Sequence, residues 1–438
     1  MTRRLLAILG LVGCAHASPC PTRVLPASSE RAKVHGLANI QRTMRLLESG
    51  QRVRILFYGQ SITQSAWSRK VALELRAKYP SARLELENRA LGGFSSERLL
   101  ETADSDLYPW QPDLVIFHVY GAHDRYQQLI ERIRARTSAE VLLQTDHVTS
   151  DRDLDEPLDF CANPPDAEHW SGFMNQAFLP SLVERHQVAL CDLRASWKLY
   201  LREQDLAASS LLADAIHLNP RGDQRMATLV ESCLVRDARL SSPAEDWVET
   251  FAPSSRLGFH GHRVEAVIAA GAGITHVRID GAAPSTLGLA SFARAHVKGG
   301  DKWPPVHGVD HREPLVPEIF TFALRRAGDA FHFTLHGTQS GDDGEGRTDT
   351  AFTSRSGRVL LEPTDWDIPY AFELMGRPVP DVFEVELRVE PHAIDAFQAG
   401  EQERTIVLAS ELPPGPHLLE LAGDAPVKQL VVYRSRDR

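Results

Sequence analysis

The sequence predicts an α/β protein of two domains, in which a doubly wound, five-stranded parallel sheet is followed by an all-β sandwich of jelly-roll type. Three observations lead to this class. Residues 30–240 alternate short apolar runs with helix-like segments. These apolar runs are continuous, which is typical of strands buried on both faces of a parallel sheet. Beyond residue 240 the pattern changes to many short strands with Gly, Pro and Asp turns between them, as in β-sandwiches.

The elements of the first domain alternate along the chain. Strands are predicted at Val53–Tyr58, Arg83–Glu87, Leu114–Tyr120, Val141–Thr145 and Val188–Leu193. Helices are predicted near Lys33–Leu47, Trp67–Lys78, Arg125–Arg136, Phe173–His186 and Pro220–Val235. Because parallel strands place their carboxyl ends at one edge of the sheet, polar residues that follow these strands are expected to lie together there.

Ser61 follows the first predicted strand, in the segment Gln60-Ser61-Ile62-Thr63. A serine at the sharp turn between a buried strand and a helix presents its hydroxyl for attack on an ester and its N–H to an oxyanion. An ordinary helix N-cap serine fits the same short pattern. The motif alone therefore leaves both interpretations open.

Asp214 and His217 are three residues apart in the loop ahead of the last predicted helix. At this spacing the carboxylate can hydrogen-bond to the imidazole and fix its tautomer, so that the other ring nitrogen takes a proton from the serine. The segment Asn88 to Gly93 follows the second strand, and Gly121-Ala122-His123-Asp124 follows the third. Each offers a hydrogen-bond donor where an oxyanion hole would need one.

In this order the four clusters resemble the sequence blocks of the SGNH/GDSL hydrolases, a family of serine esterases, over residues 30–240. Carried over position by position, the resemblance implies that Ser61 is the nucleophile, His217 the base and Asp214 the acid that orients it. It also implies an oxyanion hole formed by the N–H groups of Ser61 and Gly93.

Two residues depart from the family pattern. Gln60 replaces the Asp that precedes the nucleophile and that has no catalytic role in the family. His123 replaces the oxyanion-binding Asn. Since a neutral imidazole N–H can also donate a hydrogen bond, His123 is the candidate for the third oxyanion donor. The order of the five strands in turn resembles the flavodoxin-like arrangement.

Asp146 and His147 form a second acid and histidine pair, after the fourth strand. Adjacent side chains point in different directions, so these two residues are poorly placed to form the Asp–His arm of a triad. We interpret them as candidate substrate-binding residues, with loop capping as the alternative. The Asp- and Pro-rich segment 149–169 that follows is expected to cover one side of the cleft.

The resemblance implies a serine esterase that hydrolyses short acyl esters without a cofactor, with O-acetyl groups on carbohydrate as the first candidate substrate. A lipase, thioesterase or acyltransferase would use the same residues. An alternative from another class is a catalytically weak or inactive glycan-binding protein, in which His123 disrupts the oxyanion hole.

The N-terminus predicts export. Residues 1–17 combine a basic start with a short apolar run, as in a signal peptide. Cys14 lies in a lipobox-like segment and would tether the protein to a membrane, whereas Ala15-His16-Ala17 fits ordinary cleavage. The product would be secreted, periplasmic or lipid-anchored. A net charge of −10 argues against nucleic acid or an anionic membrane surface as the main partner, and the oligomeric state stays open.

Cysteines allow two interpretations. Cys20, Cys161, Cys191 and Cys233 remain after the signal peptide, and an even count in an oxidising compartment permits disulfides in three pairings. Cys191 and Cys233 lie in apolar segments, so buried free thiols fit equally well. The spacing matches no zinc pattern, and no metal site is predicted.

Residues 245–438 are predicted to form the sandwich, after a catalytic domain at 28–240. Phe383–Glu390 alternates apolar and charged residues, as in a strand with one face in solvent. Further strands are predicted at Val264–Ile268, Val277–Ile279, Phe331–Leu335, Val359–Leu361, Ile406–Leu408, His417–Leu421 and Val427–Tyr433. The architecture resembles accessory sandwiches beside polysaccharide esterases, which suggests glycan binding by analogy. Trp303 and Trp366 would then stack on sugars, with partial burial as the alternative.

Since every candidate catalytic group precedes residue 240, a chain that ends there is expected to retain some activity on a small ester.

Overall fold

The computed structural model describes residues 28–155, 170–300, 302–312 and 315–434. The predicted signal peptide with Cys14, and also Cys20, Cys161 and residues 156–169 of the segment expected to cover the cleft, lie outside the described residues. Within the described ranges, no helix is both long and apolar enough to cross a membrane. The described chain forms an α/β domain followed by an all-β region, as the sequence predicts.

Six strands form the sheet of the α/β domain. They are β1 (Lys33–His35), β2 (Arg52–Gly59), β3 (Arg83–Asn88), β4 (Leu114–His118), β5 (Glu140–Gln144) and β6 (Ala189–Asp192). The order across the sheet is β1-β6-β5-β4-β2-β3. The five parallel strands β2 to β6 confirm the predicted sheet, and their order is flavodoxin-like. The short strand β1 is an addition, because it pairs antiparallel with β6 at the sheet edge.

Nine α-helices connect and cover these strands within the described residues. They are α1 (Gln41–Glu48), α2 (Ser61–Gln64), α3 (Ala66–Lys78), α4 (Ser96–Asp106), α5 (His123–Arg136), α6 (Trp170–Phe173), α7 (Leu179–His186), α8 (Leu193–Glu203) and α9 (Pro220–Cys233). A π-helical turn at Met174–Phe178 joins α6 to α7.

Three of these helices differ from the prediction. The helix predicted near Lys33–Leu47 is β1, a 3-10 turn and α1, because Gly36 adopts a left-handed conformation with φ of 64° and separates strand from helix. Helix α4 was not predicted, although Leu99, Leu100 and Ala103 give it a buried face. Helix α8 was also not predicted, and it begins at the last residue assigned to the fifth strand.

The inner strands of the sheet are buried on both faces, whereas the edge strand β3 has exposed residues. Strand β2 directs Ile55 and Phe57 into the core under α1, α3, α8 and α9, and Leu56 and Tyr58 into the core under α4, α5 and α7. None of these four side chains is more than 2% exposed. Burial of each contributes about 2 kcal/mol, so a continuous apolar run is the pattern this position requires.

The C-terminal region is built from antiparallel strands and one α-helix, α10 (Ile368–Leu374). The strands are β7 (Val248–Phe251), β8 (Arg256–His260), β9 (Arg263–Ile268), β10 (Ile274–Ile279), β11 (Ala290–Phe292), β12 (His296–Val297), β13 (Ile319–Ala327), β14 (Ala330–Gly337), β15 (Gly341–Arg347), β16 (Phe352–Thr353), β17 (Leu360–Leu361), β18 (Val382–Pro391), β19 (Ala396–Gln398), β20 (Arg404–Ser410), β21 (Pro416–Gly423) and β22 (Val427–Tyr433).

Two four-stranded sheets, β19-β10-β21-β8 and β20-β9-β22-β7, share one hydrophobic core and form the sandwich. Between β10 and β19 the chain adds a further sheet, β11-β18-β13-β14-β15, with β12 beside β18. We call residues 290–391, which include this sheet and α10, the inserted sheet. Trp366 packs in its core against Phe322 and Phe333, so this indole is used for packing rather than as a free sugar platform.

Cys191 in β6 and Cys233 at the end of α9 form a disulfide. The sequence leaves open whether these cysteines are free thiols or form a disulfide. In the structure this pair forms a disulfide. The bond ties the C-terminal end of α9 to the sheet. Helix α9 begins directly after the loop that carries Asp214 and His217, so the disulfide restrains the element that follows this loop.

Loss of the disulfide is expected to lower stability. Closing a loop with a sequence separation of 42 residues stabilises a fold by about 4 kcal/mol in the chain-entropy account. A reducing agent should therefore lower the melting temperature of the wild type by about 10 °C in a thermal scan.

The double variant Cys191→Ala/Cys233→Ala is the control for this measurement. It should melt close to the reduced wild type and should not respond to the reducing agent. A wild-type melting temperature that is the same with and without reductant would contradict the stabilising role.

Candidate active site

The predicted site residues are carried by loops at one edge of the sheet. Ser61 is the first residue of α2, directly after β2, and residues 90–94 follow β3. His123 opens α5 after β4, and Asp146 follows β5. The Asp214–His217 loop does not follow β6 directly, because α8 and a 3-10 turn intervene.

Ser61, His217 and Asp214 form a continuous chain of hydrogen bonds. His217 Nε2 lies 3.0 Å from Ser61 Oγ. On the other side of the ring, His217 Nδ1 lies 2.7 Å from Asp214 Oδ2. The three residues therefore meet at distances that allow a proton to pass from the serine hydroxyl to the imidazole.

The loop holds Asp214 as a carboxylate. Its Oδ1 accepts hydrogen bonds from the backbone N–H of His217 at 2.7 Å and of Ile216 at 2.8 Å. These backbone bonds and the imidazole lower the pKa of Asp214 to about 2. The group is therefore charged throughout the neutral range, as an acceptor for Nδ1–H must be.

Asn219 fixes the ends of this loop. Its side-chain oxygen accepts from the N–H groups of Arg221 and Gly222 at the start of α9, which is the N-cap arrangement. Its amide nitrogen donates to the carbonyls of Ser210 and Leu212, on the other arm of the loop. One side chain thus joins the loop to the helix that follows it.

The hydrogen-bonded trio is open to solvent among the described residues. The side chains of His217 and Asp214 are 50% and 57% exposed. A cavity of about 640 Å³ lies elsewhere, between α4, α5 and the C-terminal region, and none of the three residues lines it. The reacting group of a substrate would therefore be bound at the surface.

The loop after β3 approaches Ser61 closely. A side chain at Gly92 would place its Cβ 3.5 Å from Ser61 Cβ and 2.8 Å from Gln64 Oε1, so a larger residue there would have to displace the Gln64 amide. The neighbouring Gly93 has φ of 83°, in the left-handed region where a Cβ is strained.

The N–H groups of this loop are used with one exception. Ala90 N–H donates to Asn88 Oδ1, Leu91 N–H to the carbonyl of Gly59, and Gly92 N–H to Gln64 Oε1. Phe94 N–H donates to the carbonyl of Leu91. Among the N–H groups of residues 90–94, only that of Gly93 has no acceptor within the described residues. This N–H is therefore available to an incoming oxygen.

His123 lies among aromatic rings. Its ring centroid is 5.2 Å from that of Trp170, 5.0 Å from Phe173 and 4.7 Å from Phe178. Burial lowers the pKa of His123, so the imidazole is neutral at neutral pH. Its Nε2 is buried and has no hydrogen-bond partner within the described residues, and no hydrogen bond joins the ring to Ser61 or to Gly93.

Asp146 and His147 are 2% and 1% exposed, which corrects the interpretation of both as substrate-binding residues, since a substrate cannot reach them. Asp146 forms an ion pair with His118 and accepts from Asn175 Nδ2 at 2.8 Å. Burial alone would raise the pKa of Asp146, but His118 and the other partners outweigh it and the pKa is lowered.

His147 instead contacts the Asp214–His217 loop from its buried side. Its Nε2 lies 2.8 Å from the carbonyl oxygen of Ile216, the residue before His217. Burial lowers the pKa of His147 to about 4, so the ring is neutral, and this nitrogen carries the proton that it donates to the carbonyl. Arg194 donates to the carbonyl of His147 at 2.7 Å and holds the residue in place.

Sequence reasoning missed the supporting residues Gln64, His147 and Asn219 in these roles. Of these, only Asn219 carried a local signal, since Asn before Pro at a helix start is a common N-cap. The residues described contain no group of three or more His, Cys, Asp or Glu side chains placed to hold a metal ion.

No protein-family model matches the chain and no curated protein matches it significantly. Among solved structures it is similar to a two-domain esterase (CEX) active on acetylated mannans, with 14% identity over 86% of this chain and 96% of that chain and a TM-score of 0.38. The acetyl xylan esterase AlAXEase is 21% identical over 42% of this chain and 100% of its own, at a TM-score of 0.34. Axe2, an acetylxylan esterase from Geobacillus stearothermophilus, is 16% identical over 42% and 95%, at 0.35. TM-scores below 0.5 leave activity and substrate to be argued from this chain's own residues.

The neutral His147 predicts a pH-dependent stability. Its pKa is about 4 in the folded chain, against 6.5 for an exposed histidine, so the unfolded chain binds a proton between these values that the folded chain does not. The contribution is complete above about pH 6.5 and is lost as the pH falls towards 4, by about 3 kcal/mol. His147→Leu should remove this part of the pH dependence in urea unfolding at pH 7 and pH 4.5.

His392→Leu is the matched control, because burial also lowers the pKa of His392 to about 4 and it lies in the C-terminal region. Both variants should flatten the pH dependence. Only His147→Leu should also lower turnover of an ester substrate, by roughly tenfold, because it alone frees the loop before His217. Equal turnover in the two variants would contradict the supporting role of His147.

Proposed function

We propose that the protein is a serine esterase that removes short acyl groups, with O-acetyl groups on carbohydrate as its first candidate substrate. The observation that carries the proposal is the hydrogen-bonded chain from Ser61 through His217 to Asp214, at 3.0 Å and 2.7 Å. A helix-capping serine would need no such partners. The order of the sequence blocks, which resembles the SGNH/GDSL hydrolases, supports the same roles.

The reaction proceeds by acyl transfer to Ser61. Its Oγ attacks the ester carbonyl carbon while His217 Nε2 takes the hydroxyl proton, and Asp214 stabilises the imidazolium. The tetrahedral intermediate collapses when His217 returns this proton to the departing sugar oxygen. Water then attacks the acyl-enzyme, again deprotonated by His217, and the carboxylic acid leaves as Ser61 regains its proton.

The oxyanion of each intermediate needs donors beside Ser61. The free N–H of Gly93 is the first of these in the proposal, together with the N–H of Ser61 itself. His123 is the third, in the position where the family has Asn. Its neutral imidazole has a proton to donate to the oxyanion.

The open site favours a small acyl group on a large alcohol. With His217 and Asp214 about half exposed, the alcohol portion of the ester can extend freely into solvent, as a polysaccharide must. An export signal, expected from residues 1–17, would bring the enzyme to extracellular carbohydrate. Acetylated mannan and xylan, the substrates named for the compared esterases, therefore belong in the substrate panel.

Substitution of the three residues tests the proposal. Ser61→Ala should abolish hydrolysis of a chromogenic acetyl ester, and His217→Ala and Asp214→Ala should each lower turnover severely. Since the three act as a unit, the double variant Ser61→Ala/His217→Ala should be little worse than either single variant. Most of the activity surviving in Ser61→Ala would end the serine-esterase proposal.

A fluorophosphonate probe separates the esterase from an inactive glycan-binding protein. The probe should label Ser61 in the wild type, should not label Ser61→Ala, and should label His217→Ala and Asp214→Ala far more slowly, because labelling needs an activated serine. Acetate release from a panel of acetylated polysaccharides, compared with long-chain acyl esters and thioesters, then identifies the substrate class. Faster release from long-chain esters would instead favour a lipase.

The role of His123 is tested by two substitutions. If its imidazole donates to the oxyanion, His123→Ala should lower turnover by roughly a hundredfold with little change in KM, and His123→Asn should keep much of the activity. If the ring only packs between Trp170 and Phe178, both variants should chiefly melt at lower temperature. Near-normal turnover in His123→Ala with a lowered melting temperature would exclude the oxyanion role.

A further inference from the structure

The loop that carries Gly93 is held from outside its own domain. Three of its carbonyl groups accept hydrogen bonds from side chains of the inserted sheet. Trp303 Nε1 donates to the carbonyl of Gly92 at 2.8 Å, and the Tyr370 hydroxyl donates to that of Gly93 at 2.5 Å. Lys302 Nζ donates to the carbonyl of Ala90 at 3.2 Å.

The bond from Trp303 acts on one particular peptide group. The carbonyl of Gly92 and the N–H of Gly93 belong to the same planar peptide unit, in which they point in opposite directions. A donor that fixes the carbonyl therefore also fixes the direction of the N–H. Polarisation of the carbonyl by the indole further strengthens the N–H as a donor.

This peptide group needs an external restraint. Gly92 and Gly93 have no side chains to hold the loop, and glycine peptides rotate more freely than others. The Gly93 N–H has no acceptor of its own within the described residues, so no internal bond fixes its direction. Without Trp303 the peptide could turn, and its N–H would no longer be held in one direction.

The contact between the inserted sheet and this loop is itself well anchored. Arg98 in α4 forms an ion pair with Asp367, at 2.6 Å, and its guanidinium lies 4.1 Å from the ring centroid of Tyr370. Leu374 packs so closely that a Cβ at Gly93 would lie 2.5 Å from its Cδ2. Trp303, Tyr370 and Leu374 pack against the core of the α/β domain.

We propose that Trp303 is a positioning residue of the oxyanion hole, supplied by the inserted sheet, which orients the Gly92–Gly93 peptide so that the Gly93 N–H faces the oxyanion. The inference rests on the proposed esterase function. It gives the C-terminal region a part in catalysis on every ester, including small ones, in addition to any binding of glycan. It also opposes the expectation that a chain ending near residue 240 keeps a competent site.

The test is Trp303→Phe in the full-length protein, which keeps an aromatic ring but removes the N–H donor. Its kcat for a chromogenic acetyl ester should fall roughly tenfold with little change in KM, since the lost restraint acts on the transition state. Phenylboronic acid, which forms a tetrahedral adduct with an activated serine, should bind more weakly by about the same factor. Tyr370→Phe, which removes the donor to the next carbonyl, should give a smaller change in the same direction.

The matched control is Trp366→Phe. Its indole N–H is buried in the inserted sheet without a hydrogen-bond partner, so its loss removes no bond to the Gly92–Gly93 loop. This variant should keep wild-type kcat and boronic acid affinity even if its melting temperature falls. Comparison of melting temperatures identifies any loss of activity that comes from unfolding alone.

The outcomes separate the inference from the function on which it rests. If the wild type hydrolyses the ester and Trp303→Phe has the same kcat and boronic acid affinity, the positioning role is wrong and the esterase proposal stands. Equal losses of kcat in Trp303→Phe and Trp366→Phe would likewise overturn it, because a general loss of packing would then explain both. A wild type that neither hydrolyses esters nor reacts with a fluorophosphonate overturns the proposed function, and this inference with it.

Discussion

Strand β2 pairs with β3 on one side and with β4 on the other, and the geometry of the site depends on this pairing. The parallel register places Phe57 beside Asn88 and Gly59 beside His118, so the loops after all three strands leave the sheet at the same level. Asn88 Nδ2 then donates to the carbonyl of Thr63 and to Ser68 Oγ, both at 2.8 Å. The end of one strand thereby fixes the turn that follows Ser61.

A rigid and buried layer supports an exposed set of reactive groups. His217 and Asp214 are solvent-exposed, but the backbone that carries them is held by His147 from below and by Asn219 at the loop's end. His147 is in turn held by Arg194. Such an arrangement combines access from solvent with fixed geometry, because the cost of ordering the loop has been met during folding rather than on binding.

Local sequence patterns were sufficient to predict the parallel strands. They also predicted the three residues of the hydrogen-bonded chain, Ser61, His217 and Asp214. Continuous apolar runs report burial on both faces, and an acid three residues before a histidine reports a hydrogen bond that one loop can close. The buried position of His147 was not predictable, since a histidine at a strand end looks the same whether it reaches a substrate or the carbonyl of Ile216.

Contacts between distant segments account for most of what the sequence did not reveal. Trp303 is 211 residues from Gly92 along the chain, and no pattern around it indicates an indole that bonds a glycine loop. The antiparallel strand β1 is only three residues long, too short for a period to be visible. Its identity depends on pairing with β6, which is a property of the assembled sheet.

The order in which the chain is synthesised determines when the inserted sheet can contact the Gly92–Gly93 loop. A chain made from its N-terminus can assemble the α/β domain as soon as α9 is complete, whereas Tyr370 and the strand that ends at Pro391 follow much later. The sandwich that flanks the inserted sheet closes only with β22, because β9 pairs with it. If docking of that sheet orients the Gly92–Gly93 loop, a nascent chain would have reduced activity until the sheet has been made. The site would then become competent only after β22 has been made, and after any export that precedes folding.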